Sequence, residues 1–197
     1  WAEVTNEALW NGEIPLWNPY QGAGAPLAAN GQSAVFDPLL LPVNLFPSTW
    51  MWDLTALGAL MLGAFGFLAF GRLIGLSHVA GSTIATAYAL SGFFFLHSNN
   101  GFIRTYAYLP LLLAGVEWTL RRRDSLPIVA VATATAGCFL VGMPESAFLV
   151  LLTIGGYALW RLIGEAERLR NAVRLLTGAL LVSALAAPML LPFAEYV

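Results

Sequence analysis

From residue 53 onward the chain is a series of apolar stretches set apart by short connections, and its cations follow their order. Eight of the nine arginines fall in alternate connections: Arg72, Arg121, Arg122, Arg123, Arg161, Arg168, Arg170 and Arg174. Arg104 alone falls on the other side. An excess of Arg in alternate short loops is the positive-inside pattern of a chain that crosses a membrane repeatedly. It restricts the fold to helices that pair their own peptide groups, because a bilayer core offers them no water.

Composition agrees. The chain is 58% hydrophobic and 10% charged, against about 25% charged residues in a typical soluble domain. There is no Lys and no basic stripe that would track nucleic acid. The single cysteine, Cys138, excludes an intrachain disulfide. Residue 1 is Trp, no signal-peptide pattern precedes the first span, and the chain stops at the edge of a span. It reads as a fragment of a longer protein, with a further span expected ahead of Trp1.

The expected fold is an all-α, polytopic transmembrane helical bundle with about six spans and an N-terminal extracytoplasmic loop. Residues 1–52 form that loop. Ala2 to Trp10 suits a short interfacial helix, and Asn11-Gly12 favours a turn that ends it. Six prolines before residue 50 argue against long regular structure there. Residues 53–197 form the helical domain, with spans at about 53–71, 79–97, 104–120, 126–142, 145–163 and 175–195. Roughly 20 apolar residues cross a bilayer core. Placing the arginine-rich connections inside puts the loop outside. Trp50, Trp52, Tyr106 and Tyr108 then mark the outer interface, and Trp118 and Trp160 the inner one. Gly164 to Arg174 reads as an amphipathic helix on the inner surface, with Glu167 and Arg170 spaced to pair.

Charges at mid-membrane are costly and so point to function. Glu117 is the one acid well inside a span. It lies four residues before Arg121, which suits a helical ion pair. The lack of mid-depth charges argues against an ion-coupled transporter. Polar residues gather instead on the outer side. Arg104 breaks the charge rule, which leaves two readings open. One is a salt bridge to a loop carboxylate. The other is a clamp on a lipid phosphate or diphosphate, where a guanidinium gives bidentate bonds. Glu145, in the turn Gly142-Met143-Pro144-Glu145-Ser146, suits a helix start as an acid near the positive end of the dipole, or a ligand contact. His97, Asn99 and Asn100 suit sugar hydroxyls or a loop cap. GxSxG, HExxH, Walker and CxxC patterns are all missing, which excludes the common soluble hydrolase, zinc and NTPase signatures.

Three loop segments carry a resemblance. They are Gly12-Glu13-Ile14-Pro15-Leu16-Trp17-Asn18-Pro19-Tyr20, then Gly24-Ala25-Pro26-Leu27-Ala28-Ala29-Asn30-Gly31-Gln32, then Phe36-Asp37-Pro38-Leu39. Together they resemble the outer loop of the bacterial YfhO-like membrane proteins, which are similar to the GT-C class of lipid-linked-sugar glycosyltransferases. The Gly-Met-Pro-Glu turn resembles a later turn of those chains, with Met143 where a polar residue is typical. The resemblance covers residues 10–50 well and the remaining spans loosely.

It implies a multi-pass protein of the bacterial inner membrane that moves a sugar from a polyprenyl-phosphate donor to a cell-envelope or protein acceptor on the extracytoplasmic face. Its partners would be membrane lipids, the lipid-linked sugar and the acceptor, with no nucleic acid. No cofactor is expected and no metal ligands are assigned, with a divalent metal left open. The family's key acid lies close after the first span, ahead of Trp1, and Glu3 and Glu7 are the nearest substitutes. The substrate-binding set is Trp17, Asn18, Tyr20, His97, Asn100, Arg104 and Glu145. Trp17 and Tyr20 suit sugar stacking as well as plain packing. Competing expectations are a non-catalytic scaffold or assembly factor of the same fold, and a lipid or solute transporter.

Overall fold

The computed structural model describes residues 1–98 and 100–196. Asn99 therefore lies outside the described residues. The chain is all-helical apart from one small ribbon. Helix α1 (Ala2–Trp10) leads into strands β1 (Trp17–Asn18) and β2 (Ala25–Pro26). The strands pair antiparallel, with Trp17 opposite Pro26 and Asn18 opposite Ala25. A short 3-10 turn (Gly31–Ser33) and α2 (Leu41–Leu45) complete the loop. The bundle follows as α3 (Thr49–Leu73), α4 (His78–Ala89), α5 (Gly92–Leu96), α6 (Gly101–Arg121), α7 (Leu126–Leu140), α8 (Pro144–Ile163), α9 (Arg168–Leu185) and α10 (Ala187–Tyr196).

Three stretches are long and apolar enough to cross a membrane: α3, the α4–α5 pair and α8. The bent pair α9–α10 makes a fourth if counted as one crossing. The two remaining expected spans differ in kind. Helix α7 is apolar but has only 15 residues. Helix α6 carries Arg104 and Glu117 and is largely buried by its neighbours. It packs most extensively on α3, then on α7 and α8, so protein surrounds much of its length.

Three boundaries depart from the sequence expectations. The stretch 79–97 divides at Leu90-Ser91 into α4 and α5. The expected single span 175–195 bends by 62° after Leu185. Pro188 explains that bend, since it has no N–H for the carbonyl of Ala184 and its ring disfavours helix just before it. Of the expected surface helix over Gly164–Arg174, residues 164–167 form a turn and Arg168–Arg174 are the start of α9, because no Gly or Pro interrupts the sequence from Arg168 to Leu176. The predicted pair survives there: Arg170 bonds Glu167, which also meets Arg123 at 3.3 Å.

Close approach to α6 is written into its neighbours. A Cβ on Gly66 of α3 would lie 2.6 Å from the backbone nitrogen of Leu111, so only glycine lets α3 press on α6 at that point. Pro110 sits inside α6 and gives the carbonyl of Tyr106 no donor. The Tyr88 hydroxyl supplies one from α4 at 2.8 Å. Tyr106 and Tyr108 therefore do not form an exposed aromatic belt. Tyr108 is buried and Tyr106 half-buried, while Trp50 and Trp160 are broadly exposed as expected.

At the arginine-rich end, Glu117 is fully buried and holds more than its predicted partner. Arg121 stands 3.6 Å away, four residues on. Shorter bonds come from α8: Tyr157 donates at 2.6 Å, and Arg161 donates to both carboxylate oxygens. Arg174 of α9 donates to the carbonyls of Thr119, Arg122 and Asp124, which caps the exit of α6.

Candidate functional site

The loop of residues 1–48 covers the other end of the bundle, and side-chain donors fix its irregular backbone. Ser33 Oγ lies 2.7 Å from the carbonyls of both Leu27 and Asn30, which share its one proton. Asn6 donates to Asn44 and Leu45, tying α1 to α2. Thr55 of α3 donates to the carbonyl of Leu39 at 2.9 Å. Ala34, Leu40 and Val43 make a small core beneath, packed on Ala2 and Met51.

The loop also docks on the turn between α7 and α8. Gly142 has φ +81°, and a Cβ there would overlap the carbonyl oxygen of Gly31. Glycine is thus required at position 142 both for its backbone angle and for the backbone-to-backbone contact.

Arg104 lies one turn into α6, directly beneath this loop. Its Nε donates to Asp37 Oδ2 at 2.5 Å, with the two side chains 7% and 0% exposed. Asp37 Oδ1 accepts from the backbone of Leu39 at 2.9 Å. Burial drives the Asp37 carboxyl above the usual carboxylate range, against the pull of Arg104 and the backbone N–H groups of Leu39 and Leu40. The salt-bridge reading of Arg104 is therefore realised, and Asp37 is its carboxylate.

The same arginine lines a cavity of about 260 Å³. Gln32, Ser33 and Asn100 add polar groups, Trp1 and Trp52 add indoles, and Met143 helps to wall it. Asn100 also caps α6, its Oδ1 accepting from Phe102 at 2.9 Å. Among the described residues the Arg104 side chain bonds only Asp37, and through Nε. An anion in the cavity would meet a guanidinium held in place from behind, with amide donors beside it. Among the described residues no carboxylate lines the space, and Asp37 balances the Arg104 charge.

A second depression, of about 290 Å³, lies on the loop itself. Trp17 and Tyr20 line it with Glu7, Glu13 and Asn11. The ribbon holds Trp17 with one side against Gly24, where a Cβ would lie 2.5 Å from the ring.

The predicted binding residues thus separate. Asn100 and Arg104 share the cavity, and Trp17 and Tyr20 share the loop depression. Asn18 lines neither; it is buried and its Oδ1 accepts from the backbone of Tyr20 at 3.0 Å. His97 stacks on Phe93 with centroids 4.6 Å apart, and its Nδ1 meets the Phe93 carbonyl at 2.9 Å. Glu145 is exposed in the first turn of α8. Glu3 is exposed on α1, and Glu7 lines the loop depression. Sequence reasoning did not count Trp1, Gln32 or Trp52 among the binding residues, and they meet only through loop docking. The glycines at 31 and 142 carried the available signal. Among the described residues no group of three or more His, Cys, Asp or Glu could hold a metal ion.

These features define an all-helical chain with three helices long and apolar enough to cross a membrane, or four with the bent pair, and a cavity lined by Arg104 under a structured loop. Comparison with protein-family models, curated proteins and solved structures found no match.

Proposed function

We propose that this chain is part of a multi-pass inner-membrane protein of the lipid-linked-sugar glycosyltransferase type, with the loop of residues 1–48 on the extracytoplasmic face. The observation that supports it is the cavity lined by Arg104, placed under the loop that resembles the YfhO-like proteins. In this reading Arg104, Asn100 and Gln32 receive the phosphate of a polyprenyl-phosphate sugar. Trp17 and Tyr20 offer faces for the sugar or the acceptor.

In the reaction, the acceptor hydroxyl oxygen bonds to the anomeric carbon while the bond from that carbon to the phosphate oxygen breaks. The hydroxyl proton passes to a carboxylate acting as general base. The electron pair leaves with the phosphate, whose gained charge Arg104 stabilises. Because no carboxylate among the described residues lines the cavity, the base comes from elsewhere in the protein or from the loop acids Glu3 and Glu7. That same feature favours a second reading, a non-catalytic scaffold that holds an anionic lipid headgroup.

The deciding experiment is transfer from a radiolabelled polyprenyl-phosphate sugar by the full-length protein in vesicles. Asn100→Ala and the double variant Arg104→Met with Asp37→Asn are compared with wild type. The transferase reading expects labelled product, lost at least tenfold in both variants. Donor that binds but is never consumed supports the scaffold. Equal turnover in all three proteins removes Arg104 from the site.

A further inference from the structure

The Arg104 cavity constrains the charge of what it can hold. Among the described residues Arg104 is the only charged side chain that lines it. That side chain is more than nine-tenths buried, and Asp37 is wholly so. Their bond runs through Nε, so among the described residues the two terminal guanidinium nitrogens have no partner. Asp37 is fixed in turn by its own loop, where Oδ1 accepts from the backbone of Leu39. The other polar side chains on the wall are neutral: Gln32, Ser33 and Asn100. The Ser33 proton is already shared between two carbonyls. Asn100 caps α6 through Oδ1, which leaves its amide N–H₂ to donate.

Two magnitudes decide what such a site accepts. The attraction between a guanidinium and an anion grows in proportion to the anion's charge. The cost of taking that anion out of water grows as the square of its charge. A second negative charge therefore doubles the attraction and quadruples the cost. Asp37 weakens the attraction further, because it neutralises the same guanidinium and repels any anion beside it. A phosphate monoester carries close to two negative charges above its second pKa of about 6. A phosphodiester carries one.

We propose that Asp37 sets the specificity of this cavity: by balancing Arg104, it makes the site hold a phosphodiester in preference to a phosphate monoester. The inference deepens the transferase reading and rests on its assignment of the phosphate to Arg104. A lipid phosphodiester of a sugar enters with one charge. After transfer the lipid phosphate is a monoester, and its second charge favours departure. Arg104 meets the charge that builds while the bond breaks, and Asp37 keeps the product from staying. Asp37 is a positioning residue, since it acts on the ligand through Arg104.

The test reads binding without turnover, by isothermal titration of the full-length protein in phosphatidylcholine nanodiscs at pH 8. Empty nanodiscs are titrated alongside to subtract partitioning. Three probes share a farnesyl chain: farnesyl sulfate and farnesyl methyl phosphate carry one charge, and farnesyl phosphate carries two. Wild type is expected to bind each singly charged probe about tenfold more tightly than farnesyl phosphate. Asp37→Asn is expected to abolish or reverse that ratio, which a partial loss of folded protein would leave unmoved. Where Asp37→Asn does not fold, Gln32→Lys decides, since it adds an unbalanced cation at an exposed wall position. It is expected to raise farnesyl phosphate affinity about fivefold and farnesyl sulfate affinity by less. Asp53→Asn, which removes an exposed carboxylate outside the cavity, is expected to change neither. Farnesyl phosphate bound by wild type as tightly as farnesyl sulfate overturns the proposal. So does a folded Asp37→Asn that keeps the wild-type ratio, a Gln32→Lys that favours all probes equally, or failure to bind any of the three. A preference for one charge in a protein that transfers no sugar upholds the proposal and sinks the transferase reading alone, and transfer without the preference does the reverse.

Discussion

The buried pair Arg104–Asp37 makes an asymmetric prediction. Both side chains are almost wholly withdrawn from solvent, at 7% and 0% exposure. Removing one partner of such a pair leaves the other charge uncompensated, which costs about 3–5 kcal/mol. The two partners differ in their escape. A guanidinium stays charged at any working pH, whereas burial raises the Asp37 pKa and eases its protonation once Arg104 is gone. Asp37→Asn is therefore expected to cost the full 3–5 kcal/mol or so, independent of pH. Arg104→Gln is expected to cost less, because Asp37 can neutralise itself. The sign follows from the upward shift: a proton binds more tightly in the folded state, so the stability it contributes is lost as pH rises through the folded value. Arg104→Gln is thus more stable at pH 5 than at pH 8. The double variant Asp37→Asn with Arg104→Met should cost at least ~2 kcal/mol less than the sum of the singles. Chemical unfolding in detergent micelles at pH 5 and pH 8 measures all four proteins. The reasoning fails if Asp37→Asn costs under about 1 kcal/mol, or if the pH dependence of Arg104→Gln runs the other way.

Four further outcomes are expected. Gly142→Ala is expected to lift the loop from the α7–α8 turn, at about 2 kcal/mol or more, and to speed limited proteolysis within residues 20–48. Arg161→Gln is expected to destabilise the bundle well beyond Arg121→Gln, because Arg161 donates to both oxygens of Glu117 while Arg121 is half exposed and more distant; thermal unfolding in detergent ranks them. Trp17→Ala, with its ring largely in solvent, is expected to shift stability by less than about 1 kcal/mol, so any larger loss of activity reports ligand contact. A cysteine introduced at position 30 is expected to react with an impermeant maleimide added outside intact cells, and labelling only after permeabilisation would reverse the proposed orientation.

Local patterns were legible where the physics is local. Helix α1 ends at its Asn-Gly break, and the pairs Glu117–Arg121 and Glu167–Arg170 follow from helical spacing. The unusual placement of Arg104 pointed to an anionic partner, and the structure supplies Asp37, 67 residues away in sequence. That choice was hidden because several loop carboxylates were equivalent until the loop folded. Tyr157 and Arg161 on Glu117 were hidden for a similar reason, since α6 and α8 meet only in three dimensions. Tyr106 and Tyr108 misled because hydropathy does not distinguish an interfacial aromatic from one packed beside a proline-freed carbonyl. Arg104, Glu117 and the shortness of α7 made α6 and α7 harder to class as spans, and their burial against neighbours accounts for much of that polarity.

The three hydrogen bonds of Arg174 limit how this bundle can move. Sliding α9 past α6 would strip three carbonyls of a shared donor at once, so the two helices behave as one strut at the arginine-rich end. The weak joint lies further along, at Ala186, where the proline-interrupted ladder already turns. A stroke that opens the molecule would swing α10 about that elbow while the strut stays in place.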